Sequence, residues 1–171
     1  MSIARSAKMA RSDNDPLDST VKSAYLEALT QIERLHRQLL DVIKDELDRT
    51  GLADINSVQA LLLFNIGEAE LTAGELRTRG HYLGSNVSYN LKKMVETGYI
   101  HHQRSDLDRR SVRVRLTDKG RQVSALVDKL YHRHISTIVE IGVASMEEIQ
   151  AMNGVLRRLE RFWSDQIRFR L

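Results

Sequence analysis

The amino-acid sequence predicts a mainly α-helical protein with a small β-sheet, and three observations support this fold class. Apolar residues recur at helical spacing through most of the 171-residue chain. The chain has one proline, and aromatic residues make up only 5% of it, a composition that suits long amphipathic helices better than a thick sheet core. Two short runs, 99–102 and 112–116, have the pattern of strands and flank a charged turn. A short helix, a turn, a longer helix and this hairpin follow one another in the order of a winged helix-turn-helix.

The first long helix is predicted from Asp15-Pro16 to Gly51, since proline is acceptable in a first helical turn. Residues 1–14 have no hydrophobic periodicity, and we expect them to form a disordered tail. A helix of more than about 30 residues usually packs along another helix, often from a second subunit. We therefore assign 15–55 as an N-terminal dimerisation helix. Its apolar positions are Val21, Tyr25, Leu29, Ile32, Leu35, Leu39, Val42, Ile43 and Leu47.

The segment 56–116 is predicted to form the winged helix-turn-helix. Asn56-Ser57-Val58-Gln59 resembles a helix cap, and the helix that follows is apolar nearly all round, so we expect it to be the most buried element. Thr72-Ala73-Gly74-Glu75 has the pattern of a capping box that opens a shorter helix.

A helix over 83–95 is predicted to have one buried and one exposed side. Val87, Leu91, Met94 and Val95 fall on one side of a helical wheel, and hydrogen-bonding and cationic groups fall on the other. Gly98 follows in the position of a left-handed C-cap. The exposed side is suited to the major groove of DNA, where asparagine can pair with adenine and lysine can contact phosphate. Its candidate DNA-binding residues are Ser85, Asn86, Ser88, Tyr89, Lys92 and Lys93.

Two further helices are predicted over 117–171, which we assign as C-terminal dimerisation helices. Thr117 is expected to cap the first and Gly142 to end it, while Ser145-Met146-Glu147-Glu148 has the pattern of another capping box. The apolar stripe of the final helix continues almost to residue 171, which favours an interface anchored by aromatic residues. The alternative is a final helix that folds back on its own core. The predicted dimer-interface residues are Val21, Leu29, Leu159, Phe162, Trp163 and Ile167.

Positive charge is concentrated in the segment from Arg77 to Arg115. This segment has nine Lys/Arg and three Asp/Glu, whereas the rest of the chain has 17 Lys/Arg and 20 Asp/Glu. Such an uneven distribution is typical of a phosphate-binding surface, although a solvated face can also be locally basic. On the hairpin, Arg104 and Arg113 are candidate DNA contacts, as phosphate ligands or as simple solvated positions.

The run from Leu71 to Gly120 resembles the DNA-binding domain of the MarR family of bacterial regulators. The matching motifs are the helix Leu83–Val95, the turn Glu96–Ile100, the wing Asp108-Arg109-Arg110 and the exit Leu116–Gly120. They occur in the family's order and spacing. The family wing usually begins Asp-Pro-x-Asp, but here Ser105-Asp106-Leu107 occupies the first three places. Either Asp106 or Asp108 is therefore the wing brace that holds an arginine.

The resemblance implies a homodimer that binds a pseudo-palindromic operator in double-stranded DNA and regulates transcription. One of Arg109 and Arg110 would enter the minor groove, and Arg109 is favoured. A small aromatic or phenolic effector would bind near Tyr25, His36 and Phe64, although packing is the alternative for each. The long first helix is similar to that of the LdtR subgroup, which would place the targets among cell-wall L,D-transpeptidase or stress-response genes.

Other classes of function are disfavoured by what the sequence lacks. The absence of cysteine excludes disulfides, thiol chemistry and Cys-ligated zinc, and no pair of histidines has chelating spacing, so we expect no metal or other cofactor. No serine has a nucleophile motif around it, and we expect no enzymatic activity. No apolar run could span a membrane or serve as a signal, so a cytoplasmic protein is expected. The remaining alternatives are a non-specific architectural DNA-binding protein and a helical protein-interaction module.

Overall fold

The computed structural model describes residues 16–72, 75, 84–104 and 112–169. For 16–18, 84–87, 104 and 112 it describes the backbone alone. Within these residues the chain is mainly helical with one small sheet, as predicted. The chain divides into two compact units, 1–58 and 59–171. The elements in order are α1 (Pro16–Arg49), α2 (Ser57–Ile66), β1 (Leu71–Thr72), α3 (Gly84–Glu96), β2 (Ile100–Arg104), β3 (Val112–Leu116), α4 (Asp118–Ile141) and α5 (Met146–Phe169).

The first unit consists mainly of α1, a single helix of 34 residues. Its two halves differ in burial: Ile43 and Leu47 are buried near the C-terminal end, whereas Val21 and Leu26 are more than half exposed. The helix ends at Arg49, two residues before the predicted Gly51. Gly51 has φ 73°, a left-handed conformation that favours glycine and lets the chain leave the helix.

Helix α2 is largely buried. Ala60, Leu62 and Leu63 are fully buried and Ile66 nearly so. Among the described side chains, a larger share is buried in α2 than in any other helix, which confirms the prediction from its uniform hydrophobicity.

The sheet is antiparallel, with strand order β1-β3-β2. Ile100 pairs with Leu116 and Leu71 with Val114, and these four side chains are buried on one face. The hairpin prediction is confirmed, although β2 runs from 100 to 104 rather than from 99 to 102. Strand β1 was not predicted, because two residues have no measurable periodicity and their pairing with β3 spans more than 40 residues of sequence.

The predicted caps of the two last helices are present. The Thr117 hydroxyl accepts the Gly120 N–H at the start of α4, and Gly142 has φ 67° at its end. At the start of α5, Ser145 and Glu148 each accept the other's backbone N–H, as a capping box requires. Helix α4 buries Val123, Val127 and Leu130, whereas α5 buries no residue. Among the described helices, none has an apolar stretch that could cross a bilayer.

Candidate nucleic-acid interface

Helix α3 is amphipathic, and its buried side differs slightly from the predicted one. Leu91 and Met94 are buried as expected, but Val95 is 37% exposed, and Asn90 is buried instead. Because successive residues are about 100° apart, this exchange rotates the buried arc toward Asn90. The prediction for Val95 was therefore wrong, and it failed because a wheel assigns the buried side by hydrophobicity alone. The Val87 side chain is not among those that the structure describes.

The exposed side of α3 presents polar and cationic groups. Tyr89 is 68% exposed, and Ser88, Lys92 and Lys93 are exposed as well. Each lysine ammonium is 4.0 Å from the Glu96 carboxylate, in exposed ion pairs that cost little to replace. Both cations therefore remain available to phosphate. Ser85 and Asn86 lie in the first turn of the same helix, and their side chains are outside the described set.

The end of α3 is fixed by local hydrogen bonds. Gly98 has φ 76°, as predicted for a C-cap, and the Tyr99 N–H donates to the Met94 carbonyl at 2.8 Å. The Tyr99 side chain is fully buried, and the Lys119 ammonium lies 4.1 Å from the centroid of its ring. The sequence did not predict that Asn90 is buried or that Lys119 contacts Tyr99. The burial of a polar residue and a contact between residues 20 positions apart have no signal in the local sequence.

The hairpin has a buried and an exposed face. On the exposed face, Gln103 pairs with Arg113 and His101 with Arg115. Arg113 lies 3.7 Å from the Glu70 carboxylate in a half-exposed ion pair. Arg104 lies at the end of β2, where its backbone pairs with Val112. The predicted tip residues Arg109 and Arg110 and the predicted braces Asp106 and Asp108 lie outside the described residues.

The three predicted effector residues have different surroundings. Tyr25 and His36 are exposed on α1 in the first unit. In the second unit, the rings of Phe64 and Tyr131 form an edge-to-face pair with centroids 5.0 Å apart. Burial raises the pKa of the Tyr131 phenol. The described residues that line an open cavity of about 650 Å³ all lie on α4, among them Leu126 and His132, and the three predicted residues are not among them.

Most of the predicted interface residues are exposed in the single chain. Val21, Phe162 and Ile167 are 68%, 53% and 80% exposed, and Trp163 is 36% exposed. Leu29 and Leu159 are half-buried. The absence of any buried residue in α5 argues against the alternative in which this helix folds back on its own core.

Metal binding receives no support from the described residues. Within 16–72, 75, 84–104 and 112–169, no cluster of three His, Asp or Glu side chains has the geometry to hold an ion.

Comparisons with known proteins identify relatives along nearly the whole chain. Residues 53–111 match the model of the MarR family. The chain is 39% identical over 160 residues to the exopolysaccharide II synthesis transcriptional activator ExpG of Rhizobium meliloti (strain 1021), covering 92% of this chain and 79% of that protein.

Solved structures have the same fold. Streptococcus pneumoniae FabT, in complex with DNA, superposes with a TM-score of 0.65 at 25% identity, over 82% of this chain and 98% of FabT. A MarR transcriptional regulator from Methanosarcina mazei Go1 has a TM-score of 0.62 at 22% identity, over 79% of this chain and 95% of that one. The mainly helical fold with its small antiparallel sheet is therefore that of a winged helix-turn-helix protein.

Proposed function

The chain belongs to the MarR family of transcriptional regulators, and from this membership we propose that it binds a pseudo-palindromic DNA operator as a homodimer. The observation that carries the proposal is the division of α3 into two sides. Leu91 and Met94 are buried, while Tyr89, Lys92 and Lys93 on the other side are exposed to solvent. A major groove about 12 Å wide admits one such helix with its exposed side chains.

Each exposed group of α3 has a distinct role in this proposal. Lys92 and Lys93 contact phosphates, and Tyr89 contacts a thymine methyl or a phosphate. Asn86 reads adenine, and Ser85 and Ser88 reach a phosphate or a base edge. FabT, which has the same fold, forms a complex with DNA, and this supports DNA as the partner.

The hairpin supplies a second set of contacts. Arg113, which is exposed on β3, and Arg104, at the end of β2, contact phosphates beside the site of α3. Arg109 enters the minor groove, where the negative potential is strongest, and Arg110 pairs with Asp106 or Asp108.

Dimerisation covers the apolar side chains that each chain leaves exposed. On α5, Phe162, Trp163 and Ile167 are exposed, and on α1 so is Val21. Exposed apolar surface on this scale usually marks an interaction site. In this proposal, 15–55 and 117–171 associate, and 56–116 binds DNA. Two copies of α3 then address half-sites about 34 Å apart.

The proposed dimer responds to a small aromatic or phenolic effector. Such a ligand must bind more tightly to a dimer whose two α3 helices do not fit adjacent major grooves. A protein that acts on an operator works in the cytoplasm of a bacterium. The relative ExpG is a transcriptional activator, and we include activation among the proposed effects on transcription.

The experiment that tests the proposal is selection of bound fragments from a genomic DNA pool. We expect a recovered site with two-fold symmetry and binding that weakens steeply with salt, because condensed counterions are released. A double variant, Lys92→Glu with Lys93→Glu, serves as the control and should recover no fragments.

Two rival functions give different results. An architectural protein would bind operator and random duplex equally. In a protein-interaction module, the basic face would bind a partner other than DNA. Charge reversal at Arg109 and Arg110 would then leave any DNA binding intact.

A further inference from the structure

The start of α4 is joined to the end of α3 by hydrogen bonds centred on Thr117. The Thr117 hydroxyl donates across the junction, with the carbonyl oxygens of Gly98 and Tyr99 at 2.8 and 3.0 Å. The Thr117 N–H donates to the same Tyr99 carbonyl at 3.1 Å. The hydroxyl oxygen also accepts the Gly120 N–H at 3.1 Å, as the cap of α4. One side chain therefore satisfies groups at the start of α4 and in the turn that follows α3.

Two neighbours of Thr117 tighten the same junction. A Cβ atom on Gly120 would lie 2.1 Å from the Tyr99 carbonyl oxygen, so the two backbones are in direct contact. The Lys119 ammonium donates to the Thr97 carbonyl at 3.2 Å, just beyond the end of α3. We call these three contacts, made by Thr117, Lys119 and Gly120 with residues 97–99, the α3–α4 joint.

The first turn of α3 lies far from the α3–α4 joint. At about 1.5 Å per residue, the first turn of α3 lies about 20 Å from Gly98. A tilt of about 10° at the joint would therefore move that turn by about 3 Å, which is the length of a hydrogen bond.

We propose that Thr117 is a positioning residue for base recognition, because its hydroxyl fixes the direction of α3 relative to α4. Hydrogen bonds to base edges require accurate placement of α3, whereas attraction to phosphates extends over about 10 Å and tolerates small displacements. The Thr117 hydroxyl therefore contributes to the preference for the operator over random DNA, and little to DNA affinity as such. This inference rests on the proposed role of α3 as the recognition helix.

Three substitutions separate the roles of the Thr117 side chain. Thr117→Ser keeps both the cap and the donor. Thr117→Asp keeps an acceptor for the Gly120 N–H but cannot donate to the carbonyls, and Thr117→Val loses both functions. The measurement is the ratio of affinities for the selected operator and a random duplex of equal length, in which the effect of the added aspartate charge cancels. Lys119→Met provides a second variant at the same joint, in case Thr117→Val does not fold.

We expect Thr117→Val and Thr117→Asp to lower this ratio about tenfold, equivalent to about 1.4 kcal/mol, with the salt dependence unchanged. Thr117→Ser should keep the parent ratio, and Lys119→Met should lower it about threefold. A ratio that stays at the parent value in Asp, Val and Met variants would overturn the inference, as would an equal loss in the Ser variant. A parent ratio near one would instead refute the proposed function and remove the ground on which the inference stands.

Discussion

Two parts of the chain have similar hydrophobic periodicity but differ in burial. Helices α3 and α4 form what we call the centre, and α5 with the N-terminal half of α1 forms what we call the arms. Met94, Val123 and Val127 are buried within one chain, whereas Val21 is 68% and Ile167 80% exposed. Periodic apolar residues predict that a helix has a side to bury, but not which chain covers that side. We therefore expect the centre to be stabilised by its own chain and, in the proposed dimer, the arms by a second copy.

The difference has an energetic consequence. Full burial of a large apolar side chain contributes about 1.5–3 kcal/mol, so the centre obtains this stabilisation on folding. Met152, Phe162 and Phe169 on α5 are more than half exposed in the single chain. In the proposed dimer, most of their contribution is gained on association, so the stability of the arms should depend on protein concentration.

Gly120→Ala is expected to have the largest effect, because it acts on the centre. The added Cβ would lie 2.1 Å from the Tyr99 carbonyl oxygen, a backbone atom that cannot move aside. We expect a loss of about 3 kcal/mol or more in the free energy of unfolding, at the upper end of the range for overpacking. Urea unfolding monitored by circular dichroism measures it. Parent-like stability would show that the two backbones can separate without cost.

Phe162→Arg should dissociate the proposed dimer without unfolding the centre of each chain. The side chain is 53% exposed in the single chain, so the charge costs little until a partner would cover it. We expect monomers in sedimentation experiments, retained helical content, and operator affinity about 100-fold weaker, equivalent to about 2.7 kcal/mol. Ser164→Arg places the same charge on the opposite side of α5 and serves as the control. A dimer that tolerates arginine at position 162 would contradict the proposed interface.

The local features of the fold could be predicted from the sequence. Thr72 and Glu75 form the predicted capping box, in which each side chain accepts the other's backbone N–H, and so do Ser145 and Glu148. The left-handed glycines at 98 and 142 also end their helices as predicted. Each of these signals depends on residues within about five positions, which a single sequence contains in full.

The features that the sequence did not predict depend on contacts between residues that are distant in the chain. Strand β1 exists because Leu71 and Thr72 pair with β3, and the α3–α4 joint brings Gly120 against Tyr99. The exchange of Val95 for Asn90 on the buried side of α3 is of the same kind, since it depends on what packs against the helix. The polar side of α3 was predictable because it needs only the helical period.

Lys92→Gln with Lys93→Gln should have a smaller effect than loss of the dimer, and only on DNA binding. Both side chains are at least half exposed, so the centre should keep its stability. If each lysine contacts one phosphate, the slope of log affinity against log salt should decrease by about 1.8 per subunit. Lys129→Gln, at an exposed position of α4, is the control and should leave the slope at its parent value. An unchanged slope in the double variant would place the phosphate contacts elsewhere.

Gly154→Ala should have the smallest effect, and it reports on the arm that the centre does not cover. Gly154 lies inside α5, and among the described residues an added Cβ would meet the flexible end of Arg158 at 3.5 Å, an ordinary contact. Because glycine costs about 0.8–1 kcal/mol in a helix interior relative to alanine, we expect a small increase in melting temperature at constant protein concentration, with operator affinity unchanged. A decrease would have a specific meaning. Since no described residue opposes the added methyl group, a loss of stability would show that the partner helix approaches α5 closely at position 154.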